Sequence, residues 1–130
     1  MAINVGEVVC KEHRDRKNYG PGLCCIVPYG TFDPSTDCRL VIKELELEIE
    51  VGPGVPIFIP SALFHHFNTA LKSKGMRGSI VFWSGASLFQ WVELGGRALK
   101  QLTEEEKELY GQHSSERATV GAFRFPTVPQ

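Results

Sequence analysis

Arg39-Leu40-Val41-Ile42-Lys43-Glu44-Leu45-Glu46-Leu47-Glu48-Ile49-Glu50-Val51 carries the clearest hydropathic period in the chain. From Leu45 onward every second residue is aliphatic, and Glu46, Glu48 and Glu50 fill the places between. Successive side chains of a strand point to opposite faces, so a period of two describes one strand over 39–51 with a buried face and an acidic solvent face. Downstream, Gly52-Pro53-Gly54 is a tight turn, Val55 to Ile59 is a short strand punctuated by Pro56 and Pro60, and Lys72 to Gly75 is a polar turn. Leu63 to Asn68 brings in a histidine pair, Ser79 to Trp83 is another apolar strand, and Leu88 to Leu94 closes the series with Phe89 and Trp91. Upstream, Gly30 to Asp37 reads as a loop, and the continuous apolar run Leu23 to Tyr29 as a strand buried on both faces. Asn18 to Gly22 is turn chemistry, and Val5 to Cys10 is a valine-rich strand.

About seven short strands separated by turns, with little helix before residue 97, predict an all-β sandwich or barrel. A jelly roll is the member of that class with an open mouth between two sheets, suited to a small-molecule or metal site. After Gly95-Gly96 the pattern changes: Thr103-Glu104-Glu105-Glu106 is a capping box that opens a short helix through about Tyr110. The tail from Gly111 to Gln130, with Phe123-Arg124-Phe125 and two prolines, is expected as an edge strand or a mobile end.

The chain of 130 residues is expected to form a single domain, residues 1–130. A formal net charge of -1 provides no global basic field, so affinity for nucleic acid would have to come from a local patch. Lys11, Arg14, Arg16 and Lys17 form one candidate, the alternative being a solvated charge cluster at a strand end. Cys10, Cys24, Cys25 and Cys38 show no C-x-x-C spacing and are read as reduced thiols. Without a leader-like start or an apolar run long enough to span a bilayer, the expectation is a soluble intracellular protein, cytoplasmic or nuclear, with no membrane partner.

The chemistry is concentrated in Lys11-Glu12-His13-Arg14-Asp15-Arg16-Lys17-Asn18. On an extended strand His13 and Asp15 point the same way. An imidazole and a carboxylate converging from one segment are two thirds of the 2-His-1-carboxylate set of non-haem Fe(II) oxygenases, which needs a distant second histidine. His65 and His66 in Phe64-His65-His66-Phe67 are the candidates, and Arg77-Gly78-Ser79 follows at a distance that suits an anchor for a dicarboxylate cosubstrate.

His13 to Gly22 followed by Leu23-Cys24-Cys25-Ile26-Val27 resembles the metal-binding strand of the TET/JBP branch of Fe(II)/2-oxoglutarate dioxygenases, fungal proteins of that type above all. Ile59 to Asn68 resembles their distal-histidine segment, and Arg77-Gly78-Ser79 their cosubstrate arginine, so the likeness covers roughly residues 8 to 97. It implies a double-stranded β-helix (jelly roll), Fe(II), 2-oxoglutarate and O2, and oxidation of a C–H or methyl group, with 5-methylcytosine-type bases among the substrates of the family. It also implies residue roles: His13, Asp15 and His66 as metal ligands, Arg77 with Ser79 on the far carboxylate of 2-oxoglutarate, and Asn18 near the substrate. Phe64, Phe67, Phe82 and Trp83 are expected to contribute apolar walls around the metal.

Thr36-Asp37-Cys38 stands where these folds usually carry Gly-Gly, and twelve residues precede His13 where the family has a longer region. The expectation is a trimmed core braced by the C-terminal helix or by an edge from a partner chain, hence a homodimer rather than a monomer. The competing expectation is a non-catalytic jelly-roll binding module derived from a dioxygenase.

Overall fold

A computed structural model of the chain describes residues 1–6 and 9–113. Among the described residues, two antiparallel sheets hold seven strands: β1 (Ala2–Asn4), β2 (Cys24–Thr31), β3 (Leu40–Ile42), β4 (Leu47–Ile49), β5 (Ile57–Ile59), β6 (His66–Asn68) and β7 (Met76–Phe82). The larger sheet runs β1-β7-β2-β5 and the smaller β4-β3-β6. Two helices follow, α1 (Ala86–Glu93) and α2 (Glu104–Gln112), so the chain is all-β in class with short helical additions. Among the described residues no helix is long and apolar enough to cross a membrane. The expectations for the tail beyond residue 113 lie outside the described residues.

The alternating stretch 39–51 is a hairpin rather than one strand. β3 and β4 pair with Leu40 opposite Ile49 and Ile42 opposite Leu47. Lys43–Leu45 form a single 3-10 turn between them, closed by Glu46 in the left-handed conformation at φ 52 and ψ 34. The reversal at Glu46 removes Leu45 and Leu47 from any buried face, and they remain 48% and 46% exposed. Arg39 reaches back across the hairpin to Glu48 and Glu50, each at 3.3 Å. A period of two therefore marked extended backbone correctly but could not register the point at which the chain turns back.

Leu88 to Leu94, expected as the last strand, is instead the body of helix α1 up to Glu93 with Leu94 as its C-cap. Gly95 and Gly96, at φ 63 and 81, end it by turning the chain left-handed, with Gly96 N–H donating to the Trp91 carbonyl at 2.9 Å. Such glycines are helix stops as much as strand stops, and an apolar run of this length does not choose between the two. Tertiary contacts hold α1: Phe89 stacks on Tyr19 at 3.8 Å between ring centroids, and Ala86 N–H bonds to the Lys17 carbonyl at 2.9 Å. The capping box of α2 is present as expected, with Thr103 Oγ1 accepting from the Glu106 N–H and Glu106 reaching back to the Thr103 N–H.

The strand expected over Val5 to Cys10 includes residues 7 and 8, which lie outside the described residues; the first strand among the described residues is β1. Ala2–Asn4 pair with β7, and Gly6 at φ 96 turns the chain away. The N-terminal residues thus supply an edge strand of the larger sheet themselves. Tyr29 crosses β7 to reach it, its hydroxyl donating to the Asn4 carbonyl at 2.9 Å. A Cβ at Gly78 would meet the Tyr29 ring at 2.2 Å, so the middle residue of Arg77-Gly78-Ser79 must be glycine for that crossing.

The apolar core is small: Cys24, Leu40, Ile42, Val51 and Ile59 are buried together, with Phe64 and Val81 against them. In β2 only Cys24 and Pro28 are fully buried, so this strand is well covered on its inner side and half-covered on the outer one. All four cysteines are free thiols. Cys38 adopts φ 56, so the left-handed backbone that glycine would take without cost is taken here by a buried cysteine. Asp37, 1% exposed, secures the neighbouring loop by accepting from Lys72 N–H at 2.9 Å and from Ser73 Oγ.

Two outcomes are expected. Glu46→Gly should stabilise the protein by about 1 kcal/mol in urea unfolding, because glycine relieves the left-handed strain at an exposed turn. Destabilisation would mean that residue 46 sits within a continuous strand. The Asp37 carboxyl is held below its ordinary range, chiefly by the Ser73 hydroxyl and then by the Lys72 N–H. Its contribution is present above about pH 4 and lost as pH falls through the lower folded value. Asp37→Asn should therefore be less stable than wild type at neutral pH and lose less on acidification; parallel acid profiles would refute the assignment.

Candidate metal centre

His13 does not lie in a regular strand. It makes an isolated antiparallel bridge with His66 of β6, His13 N–H donating to the His66 carbonyl at 3.1 Å and His66 N–H to the His13 carbonyl at 2.9 Å. Directly opposed residues of an antiparallel pair project to the same face, so the two imidazoles meet with centroids 4.5 Å apart. Asp15 follows, its N–H bonded to the Ser61 carbonyl at 3.0 Å, and its carboxylate turns to the same point. His13 Nε2 lies 3.5 Å from Asp15 Oδ1 and His66 Nε2 lies 4.0 Å from Asp15 Oδ2. One donor atom from each of the three residues falls within 4.8 Å of the others.

Both rings are set by their far nitrogens. His13 Nδ1 faces the Lys11 carbonyl at 2.7 Å and His66 Nδ1 the Phe64 carbonyl at 3.1 Å. A neutral imidazole beside a carbonyl donates from that nitrogen, which leaves the Nε2 lone pair for the site. Burial holds the His66 imidazole below its ordinary range, against the opposing bond to the Phe64 carbonyl. His66 is thus kept as an uncharged base, the form that ligates metals. The donor set of two imidazole nitrogens and one carboxylate oxygen fits a divalent transition metal.

The adjacent histidine points elsewhere. His65 Nδ1 pairs with Glu44 Oε1 at 2.5 Å on the exposed side. Neighbouring residues of an extended segment face opposite ways, which separates the two histidines.

His13, Asp15 and His66 line a cavity of about 410 Å³ whose walls come from both sheets. Arg77 and Ser79, alternate residues of β7, both line it, and they are 6% and 3% exposed. Phe67 and Trp83 contribute apolar wall, whereas Phe64 packs on the core and Phe82 is half exposed on the outer side. Asn18 also lines the cavity, with its amide on the Asp15 carboxylate.

Three polar residues of the site escaped sequence reasoning. Asn4 donates to Ser79 Oγ at 3.1 Å, Asn68 accepts the Cys10 N–H at 3.0 Å, and Ser61 accepts from Asn18 at 3.0 Å. Asn68 could have been found, since it lies two residues after His66 and shares its strand face. Asn4 and Ser61 carry no sequence signal, because only long-range pairing brings them in.

Wild type is expected to take up one Co(II) per chain by calorimetry. His66→Ala should abolish that uptake and His65→Ala should leave it intact; equal behaviour of the two variants would overturn this donor set.

No protein-family model and no curated protein matches the sequence. Among solved structures, that of NgTET1 in complex with 5mC DNA aligns with a TM-score of 0.52 at 20% identity. The alignment covers 58% of this chain and 27% of that one. At this identity the likeness is one of fold: the chain shares a TET-like arrangement of strands over somewhat more than half its length.

Proposed function

We propose that the chain is an Fe(II)- and 2-oxoglutarate-dependent oxygenase of TET/JBP type, built as a double-stranded β-helix, that hydroxylates a C–H or methyl group. The observation that carries this reading is a single cavity with the His13, Asp15 and His66 donors on one wall and a buried arginine with a neighbouring hydroxyl on another. The fold likeness to NgTET1 supports it.

His13, Asp15 and His66 would hold Fe(II) on one face, leaving positions open toward the cavity. The bound iron supplies oxygen activation at the expense of 2-oxoglutarate. Arg77 offers a planar two-pronged donor to the far carboxylate of that cosubstrate, and Ser79, on the same side of β7, adds a hydroxyl. Their burial strengthens such bonds, because little water competes. Ile26, Phe67, Val81 and Trp83 provide the apolar part of the wall and keep water from the reacting atoms.

The surface beside the metal centre favours a polyanionic substrate. Lys11, Arg14 and Arg16 are exposed there, and Lys17 lines the cavity. None of the four has an acidic partner at ion-pair distance among the described residues. A methylated base in nucleic acid combines a methyl group with such a charge.

With Fe(II), ascorbate and O2, wild type should convert 2-oxoglutarate to succinate, faster with methylcytosine DNA than alone, while Asp15→Ala stays at background. Arg77→Lys, which keeps the charge and loses the fork, should raise the 2-oxoglutarate KM at least about tenfold. Wild-type succinate no higher than that of Asp15→Ala, across DNA and a panel of small metabolites, would leave a non-catalytic binding module.

A further inference from the structure

The two Asp15 carboxylate oxygens stand differently: Oδ1 lies 3.5 Å from His13 Nε2, whereas Oδ2, 4.0 Å from His66 Nε2, also carries a side-chain hydrogen bond. Oδ2 accepts that bond from the Asn18 amide nitrogen at 3.2 Å, and the same nitrogen donates to Ser61 Oγ at 3.0 Å. A side-chain amide nitrogen carries two protons, so both are committed. Ser61 is 1% exposed, and its carbonyl also takes the Asp15 N–H at 3.0 Å. The segment after β5 therefore grips Asp15 twice, directly through backbone and indirectly through Asn18. Asn18 is itself fixed, its N–H bonded to the Asp15 carbonyl at 2.9 Å and its backbone bridged to Gly85 ahead of α1.

We infer that Asn18, backed by Ser61, is a positioning residue that holds Oδ2 of Asp15, the oxygen nearest His66 Nε2, and so leaves Oδ1, 3.5 Å from His13 Nε2, as the oxygen free to ligate a metal. This rests on the metal-centre reading above. The terminal torsion of a free aspartate is soft, and a carboxylate can close on a cation through both oxygens. Two-oxygen ligation would consume a coordination position that a chelating cosubstrate needs. A bonded Oδ2 resists that swing and lowers the entropy lost on metal uptake. The family resemblance puts Asn18 near the substrate; here its two amide protons serve Asp15 and Ser61, and only its carbonyl oxygen remains to accept.

Co(II) titration of the full chain, read by calorimetry and by visible absorption, tests the inference. Asn18→Ala should weaken Co(II) binding about 10- to 100-fold and alter the absorption band. Asn18→Leu, close in shape but without a donor, should do the same, which answers any loss of fold in the alanine variant. Ser61→Ala should cost less, and adding it to Asn18→Ala should cost nothing further, because the hydroxyl acts through the amide. Wild-type affinity and spectrum in both Asn18 variants, with any effect confined to thermal stability, would overturn the inference. Failure of wild type to take up Co(II) would instead remove the metal centre and this role together.

Discussion

Two backbone hydrogen bonds between His13 and His66 are the constraint on which the rest depends. Each residue gives its N–H to the other's carbonyl, which fixes register, and register decides the face to which a side chain points. A slip of one residue would bring His65 opposite His13 and send His66 away from the cavity. The same bridge continues the smaller sheet past β6, and it carries the segment 13–18 to Ser61, where Asp15 and Asn18 find their partners.

The cavity takes interior space between the two sheets that aliphatic side chains would otherwise fill. Ser61, His66, Asn68, Arg77 and Ser79 are buried beside an apolar cluster whose fully buried members, among the described residues, are five. Buried polar groups cost stability unless bonded, so the wall is a web of side chain to backbone and side chain to side chain bonds that also orients it. Asn4 on Ser79, Tyr29 over Gly78 and Asn18 on Asp15 belong to that web. The outer side of the larger sheet is, by contrast, apolar and open, with Phe58 and Phe82 both opposite Cys25. Tight packing on the inner side and exposure on the outer one follow from the same alternation along β2 and β7.

Features that depend on neighbours in sequence were legible without coordinates. The capping box at Thr103, the strand character of Leu23 to Tyr29 and the free thiols are of this kind. His13, Asp15, His66, Arg77 and Ser79 were also visible as residue types in order, and the structure brings all five to one cavity.

What pairs with what was decided by tertiary structure. Leu45 to Val51 alternates as a single strand would, yet Glu46 turns the chain back, because a left-handed turn at glutamate leaves no mark in a period of two. Leu88 to Leu94 is apolar enough for either element, and stacking of Phe89 on Tyr19 with the Ala86 bond to Lys17 settles it as helix. Asn4 and Ser61 reach the site across 75 and 43 residues of chain, to Ser79 and Asn18. Local sequence thus determined which groups the chain could bring to a metal, and long-range backbone pairing determined where they meet, since direction and distance belong to the register of strands and not to any residue alone.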